Sequence, residues 1–337
     1  MPEGSEVKKF ADILKHNVIG HTITKVNILK GRYVNKIFDG FNILQKNLPV
    51  KIISVDTKGK FTYLTLENTE NRNNVLYLFN TLGLTGGWTL RGTKKSDFKH
   101  YEGVKYLKST KRSKDCKTEH NGNVDCLYAY PIILEYISNN NINNWFERAV
   151  SHLNVEFELD NGMSFYFYDQ LSFGTLKIIE TKADLDKKLK ELGPDMLSET
   201  TTFDVFTTQI TKSINKNKHI GNVLVNQKLI SGIGNYLRAD GLWMAKISPF
   251  RKISDLNKDE IERIYIFLRA LIWGDYDYKA AQSKGFINKD IKIPHDYQRD
   301  FFVYRHEKDL DGNDVKKEEL FEGSQKRFIY WVPNRQT

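Results

Sequence analysis

Near Gly193-Pro194-Asp195 the dominant hydrophobic period of this chain changes from strand-like to helical, and that change calls for two differently built cores. Before it, the runs HTITKVNIL, KIISVDTKGKFTYLTLE, NVLYLFNTLGLTGGWTL and HLNVEFELDNGMSFYFYD alternate or run apolar, with many β-branched and aromatic residues. Turn signals at Lys58-Gly59 and Asp160-Asn161-Gly162 punctuate them, so the first half predicts an antiparallel β-sandwich. After the change, segments around Val205 to Asn215, Val223 to Leu229, Asn235 to Ala245 and Lys258 to Trp273 carry helical spacing. In the last, Ile261, Ile264, Tyr265, Leu268 and Ile272 share one side, which predicts a helical bundle.

The two ends add to this. Val7, Phe10, Ala11 and Leu14 lay an apolar face along a first helix that Ser5 is placed to cap, and ADLDKKLKEL predicts a short charged helix ended by Gly193-Pro194. At the other end, FFVYRH and RFIYWV read as the strands of a hairpin turning at Asp311-Gly312-Asn313 and carrying Arg305, Lys326 and Arg327. The string DLDGND looks like part of a calcium loop, but the ligand spacing such a loop needs is missing. The expected fold class is α+β and multidomain. Residues 1–192 form the sandwich domain with a low-periodicity insertion at about 103–148, residues 193–290 the helical domain, and residues 291–337 the hairpin.

With 51 Lys+Arg against 42 Asp+Glu, a net charge of +9 favours a polyanionic partner, while 40% hydrophobic residues suffice to fill both cores. No run reaches the roughly 18 apolar residues of a membrane span, and MPEGSEVKK leads into no signal-peptide stretch. The expectation is a protein that stays inside the cell and does not enter membranes. Cys116 and Cys126 are the only cysteines, too few for a disulfide framework or a four-cysteine zinc site. With His120 between them they suggest a metal clip less readily than two unrelated loop thiols.

Two constellations bear on chemistry. Removal of Met1 would expose Pro2 as a secondary amine, a better neutral-pH nucleophile than lysine, and its iminium with a sugar aldehyde is a lasting electron sink. Glu3 beside it is placed to move protons, and Glu6 follows one turn on. Carboxylates also favour helix starts for dipole reasons, so these residues alone leave a structural reading open. In QKLISGIGNYLRADGLWMAKISPF one helix gives way to another across Ile233-Gly234-Asn235, whose backbone N–H groups suit a phosphate. No strand precedes this GxG, so a dinucleotide site is excluded, and a plain helix-packing corner is the bland alternative.

PEGSEV, TKGKF, NTLGLTGGW, LSFGTLK, ELGPD, SGIGNYLRAD with ISPF behind it, and KRFIYWVPNRQ together resemble, in order, the Fpg/Nei family of DNA glycosylase/AP lyases. The sequence looks most like the Nei-like members of eukaryotes and large DNA viruses. The resemblance covers nearly the whole chain outside the insertion. It implies a catalytic sandwich domain, a helix-two-turns-helix DNA-binding domain and a terminal finger. Pro2 would form a Schiff base with the sugar, Glu3 would protonate the sugar oxygen, Glu6 would support that site, and Lys60 would touch the backbone beside the lesion. Asn235, helped by the Ile233 and Gly234 amides, would bind phosphate, as would Arg327 on the hairpin. Leu84, Leu171 and Phe173 would fill the space left by a flipped nucleotide. Leu171 departs from the family, since DQLSFG has leucine where DxRxFG places arginine, which leaves recognition of the opposite base open. The tail also lacks the four zinc-binding cysteines of many members, so a zincless finger with no metal and no cofactor is expected.

The resemblance thus implies base excision repair. A bifunctional glycosylase would excise oxidised bases, mainly pyrimidines, and nick the strand by β,δ-elimination. Its partners would be double-stranded DNA with oxidised bases or abasic sites, with single-stranded DNA a further candidate, and it would act as a monomer. The alternative is a non-catalytic damaged-DNA or structured nucleic-acid binding protein of the same fold. The nucleus and a site of viral DNA replication are both compatible with these features.

Overall fold

The computed structural model describes residues 2–91, 152–295, 297, 301–322 and 325–337. The expected insertion, with Cys116, His120 and Cys126, lies outside the described residues. The chain divides into two compact units, Met1–Pro2 with Val7–Lys188, and Glu3–Glu6 with Leu189–Thr337.

In the first unit, helix α1 (Gly4–Val18) sends Val7, Phe10, Ala11 and Leu14 into the core, as their spacing dictates. The strands are β1 (Thr22–Ile28), β2 (Val50–Lys58), β3 (Phe61–Asn68), β4 (Val75–Thr81), β5 (Gly86–Arg91), β6 (Leu153–Leu159), β7 (Ser164–Asp169) and β8 (Thr175–Ile179). Short helices α2 (Arg32–Asn35) and α3 (Phe41–Asn47) lie between β1 and β2. These eight strands pair antiparallel with one another, in the order β5-β7-β6-β1-β2-β3-β4-β8. Only Thr22↔Lys51 and Ile23↔Val50 join β1 to β2. The sheet therefore divides there into two four-stranded halves, whose buried residues, among them Ile23, Leu64, Leu78, Phe157 and Phe165, belong to one core.

The second unit follows α4 (Lys182–Glu191) with α5 (Phe203–Ile210), α6 (Ile220–Val225), α7 (Asn235–Ala245), α8 (Lys258–Tyr276) and α9 (Tyr278–Ser283). A hairpin of β9 (Lys316–Glu322) and β10 (Gln325–Trp331) ends it. A full capping box formed by Asn257 and Glu260 starts α8. Helix α7 is buried on almost every side, through Tyr236, Leu237, Ala239, Leu242 and Trp243, and forms the axis of this unit.

Two local expectations are corrected. Ser5 does not cap α1: it lies buried inside the helix, and the Glu3 N–H donates instead to Glu6 Oε2 at 2.8 Å. FFVYRH is not a strand, because the partner of RFIYWV is KKEELFE, with Arg327 opposite Leu320. The reason lies in α7. The fully buried Asp240 carboxylate accepts the N–H groups of Phe302, Val303 and Tyr304 at 3.0, 3.0 and 3.1 Å, and the Tyr297 hydroxyl at 2.7 Å. Three consecutive N–H groups aimed at one carboxylate cannot alternate as a strand requires.

Burial pushes the Asp240 carboxyl up from 3.8 to about 6, although its four donors pull the other way. Between those values the folded protein holds the proton more tightly than the unfolded chain, so this stabilisation is complete at low pH and lost as pH rises through about 6. Relative to Asp240→Asn, the parent protein should therefore lose on the order of 3 kcal/mol between about pH 4 and pH 7. Urea midpoints of both proteins across that range check this, and a constant difference would refute it.

Candidate catalytic and nucleic-acid-binding site

The site residues fall on both units. In the first, Pro2 is buried. Gly59 and Lys60 form the two-residue turn closed by the Lys58↔Phe61 pair, and Gly59 adopts a φ of 58°, as such a hairpin turn requires. Leu84 lies on the β4–β5 connection, and Leu171 and Phe173 on the β7–β8 connection. All three are exposed large apolar side chains.

In the second unit, α7 begins with Gly234 as its N-cap, a residue without a side chain to bind the orphan N–H groups of the first turn. Glu3 does this across 231 residues of sequence, accepting from Gly234 N at 2.6 Å, Tyr236 N at 3.0 Å and Leu237 N at 3.4 Å. Its carboxylate is wholly buried at the positive end of the helix. Gly4 seals the arrangement: its N–H donates to Gly232 O at 2.8 Å, and a Cβ there would lie 2.8 Å from Gly232 Cα. Gly232 itself has a φ of 100°, which disfavours any L side chain. The first residues and the two-turn loop therefore interlock through two glycines.

This geometry corrects one expectation. The Gly234 N–H is occupied by Glu3, so it belongs to no phosphate cradle, and Ile233 is wholly buried with its carbonyl accepting from Gln227 Nε2. Gln227 also accepts Gly232 N at 3.0 Å and takes Gly193 N on its own carbonyl, so it shapes the whole loop. Glu6 lies 3.5 Å from the Tyr236 hydroxyl, which burial, followed by the charges of Glu6, Asp275 and Glu3, keeps protonated far above its usual range.

Asn235 opens α7, and its Oδ1 meets Arg238 Nη2 at 3.4 Å. Arg238 is buried and donates to Gly221 O at 3.1 Å and to Phe328 O, the carbonyl following Arg327, at 2.8 Å. Burial, and then the charge of Arg327, brings its pKa down to about 10, so it remains a cation at neutral pH. One guanidinium thus bonds the Asn235 side chain and the backbone of β10 at Phe328, the residue after Arg327. The sequence does not mark Arg238 and Gln227 as site residues. The available signal was a charged residue at a helix position flanked by Leu237 and Ala239 and by Leu242 one turn on. Among the described residues, no group of three or more His, Cys, Asp or Glu converges as a metal site.

Residues 1–176 match the family described as formamidopyrimidine-DNA glycosylase N-terminal domain, residues 192–273 its H2TH domain, and residues 289–337 its C-terminal domain. Among curated relatives, the formamidopyrimidine-DNA glycosylase of Pelotomaculum thermopropionicum is 31% identical over 46% of this chain and 55% of its own. That of Herpetosiphon aurantiacus is 28% identical over 40% and 48%. The chain thus spans about half the length of these relatives, whereas the alignment with the Corynebacterium glutamicum protein, at 24% identity, covers 83% and 82%. The Lactococcus lactis formamidopyrimidine-DNA glycosylase bound to DNA containing an AP site superposes with a TM-score of 0.64 at 18% identity, over 99% of both chains. A MutM complex with DNA containing carbocyclic 8-oxo-G gives 0.64 at 20% identity. These structures share the fold.

Removing the Glu3 carboxylate would leave buried helix N–H groups without an acceptor. Glu3→Ala should cost about 2–4 kcal/mol of stability, and Glu3→Gln, which keeps one acceptor oxygen, about half of that. Chemical denaturation of the three proteins measures this. Identical midpoints would remove Glu3 from its capping role.

Proposed function

The chain belongs to the formamidopyrimidine-DNA glycosylase family, and from that premise we propose that it is a DNA glycosylase with AP lyase activity, acting in base excision repair through Pro2. The observation that carries the proposal is Glu3, buried at the N-terminus of α7 and covalently next to Pro2. A carboxylate held in one place and covalently adjacent to the nucleophile is what a proton-transfer partner of an N-terminal amine needs.

With Met1 removed, the Pro2 nitrogen attacks C1′ of the damaged nucleoside. The C1′–N bond breaks, and the base leaves with the proton that the Pro2 nitrogen sheds. The Glu3 carboxylate takes up a proton from water and gives it to the ring oxygen as the sugar opens, and the electron pair of Pro2 completes the iminium. Loss of a C2′ proton then expels the 3′-phosphate, and a second elimination across C4′–C5′ expels the 5′-phosphate. Water finally returns the Pro2 amine. Glu6, bonded to the Glu3 N–H, supports the start of α1. Lys60 contacts the backbone beside the lesion, while Asn235 and Arg327 hold flanking phosphates.

Oxidised pyrimidines and abasic sites in duplex DNA are the proposed substrates, on the likeness of PEGSEV, SGIGNYLRAD and a cysteine-free tail to Nei-like proteins. The same tail supports assignment to the branch with a zincless finger. Leu171 supports weak dependence on the opposite base, because a leucine cannot hydrogen-bond to a base edge.

Borohydride trapping on duplexes carrying an abasic site or an oxidised pyrimidine tests the chemistry, with the N-terminal mass recorded. Capture is expected on both substrates, and Pro2→Gly or a retained Met1 should abolish it while duplex affinity is largely kept. Tight binding without capture by the processed protein would refute the proposal. Arg327→Ala should weaken lesion-DNA binding by about 1–3 kcal/mol without altering the fold. Unchanged binding would remove Arg327 from the interface.

A further inference from the structure

Asp169 ends β7 and is almost wholly buried, yet its carboxylate faces two surface connections. Oδ1 accepts from the Thr85 hydroxyl at 2.5 Å and from Leu171 N at 3.2 Å, and Oδ2 accepts from Gly174 N at 2.6 Å. Thr85 Oγ1 in turn accepts Leu171 N at 2.9 Å, which closes a small ring of hydrogen bonds. Each of these contacts is made by a residue adjacent to an exposed apolar side chain. Thr85 follows Leu84, and Gly174 follows Phe173. Leu171 itself is the third. The three are 41%, 59% and 50% exposed, respectively, values that a hydrophobic core would not allow.

The two connections also touch directly. Gly83 has a φ of 61°, and a Cβ there would fall 2.6 Å from Gly174 N and 2.7 Å from Phe173 C. Ser172, between Leu171 and Phe173, has a φ of 57°, a conformation that needs local support. The Tyr33 hydroxyl completes the scaffold by accepting Leu176 N at 2.7 Å. Backbone and buried polar groups thus determine where three apolar tips stand before any nucleic acid arrives.

We propose that Asp169 is a positioning residue that holds Leu84, Leu171 and Phe173 as one preformed apolar wedge for the duplex, filling the space of the extruded nucleotide. The inference rests on the DNA glycosylase reading above. A wedge formed in advance spares the cost of ordering three side chains and two loops during base extrusion. It acts only where a stack has to be opened, so its loss affects duplex substrates and spares single strands.

The test compares borohydride trapping rates on one abasic oligonucleotide, single-stranded and in duplex, for the parent protein, Asp169→Asn, Asp169→Ala, Leu84→Ala and Phe173→Ala. Asp169→Ala is expected to lower the duplex-to-single-strand ratio by about tenfold, as Phe173→Ala does. Asp169→Asn keeps one acceptor oxygen and should recover part of that loss. A merely structural role would lower both rates together and leave the ratio unchanged. An unchanged ratio in both Asp169 variants, while Phe173→Ala lowers it, overturns the role of Asp169. An unchanged ratio in Leu84→Ala and Phe173→Ala overturns the wedge. If the parent protein is trapped on neither strand form, the glycosylase reading fails and this inference falls with it.

Discussion

Three N–H groups at the start of α7 have no acceptor in their own helix, and the carboxylate that takes them comes from the third residue of the chain. A helix end buried in a protein must find such partners, and each one left bare costs about 1–3 kcal/mol. Helix α7 is buried nearly throughout, so water cannot substitute. Glu3 is therefore tied to this position by backbone chemistry, whatever else it does. A Cβ on Gly4 would run into the Gly232 backbone, and Gly232 needs its positive φ, so Glu3-Gly4 and SGIG are two halves of one packing solution.

Helix α7 then distributes that order. Arg238 reaches the carbonyl after Arg327, Asp240 gathers the N–H groups of residues 302–304, and Trp243 Nε1 donates to Asp309. None of these contacts is a buried ion pair: Arg238 and Asp240 are both buried, yet each is satisfied mainly by backbone groups. Backbone partners stand in one place and carry no rotamer entropy, so such contacts fix segments that have no regular hydrogen bonding of their own. Breaking one leaves a buried charge with its solvation lost and its partners vacant, which costs far more than the contact contributes when intact.

Much of this was legible in the sequence where the physics is periodic. The helical spacing around Asn235 to Ala245 coincides with α7, whereas that around Val223 to Leu229 overlaps only the end of α6, and the apolar face of Val7, Phe10, Ala11 and Leu14 needs only the 3.6-residue repeat. The strand runs were legible because they alternate or are continuously apolar. FFVYRH defeated the same method: its apolar run imitates a strand, while its N–H groups belong to Asp240, about 60 residues earlier. Ser5 looked like a cap, but the Glu at the N3 position did that work. The amide of Gly234 looked free because its acceptor is 231 residues away. Long-range polar contacts leave no period in the sequence, and Asp169, Gln227 and Arg238 stayed invisible for that reason.

The C-terminal region shows what such contacts accomplish between residues 302 and 336. Asp309 accepts Trp243 Nε1 at 3.0 Å, Asp311 N at 3.0 Å and Asn313 N at 2.8 Å. Burial raises its pKa, but these donors together hold the carboxyl below its usual range, so it is ionised at neutral pH. Arg335 pairs with Asp311 while its guanidinium lies 3.9 Å from the Trp243 ring centroid. Gln336 accepts Val332 N at 2.7 Å and donates to Ile247 O at 2.9 Å. Each of these contributes about 1–3 kcal/mol, and together they anchor several points between residues 302 and 336. The order is divided between one cluster, in which Asp309 and Arg335 meet on Trp243 and Asp311, and a separate anchor at Gln336, so the loss of either leaves the other in place.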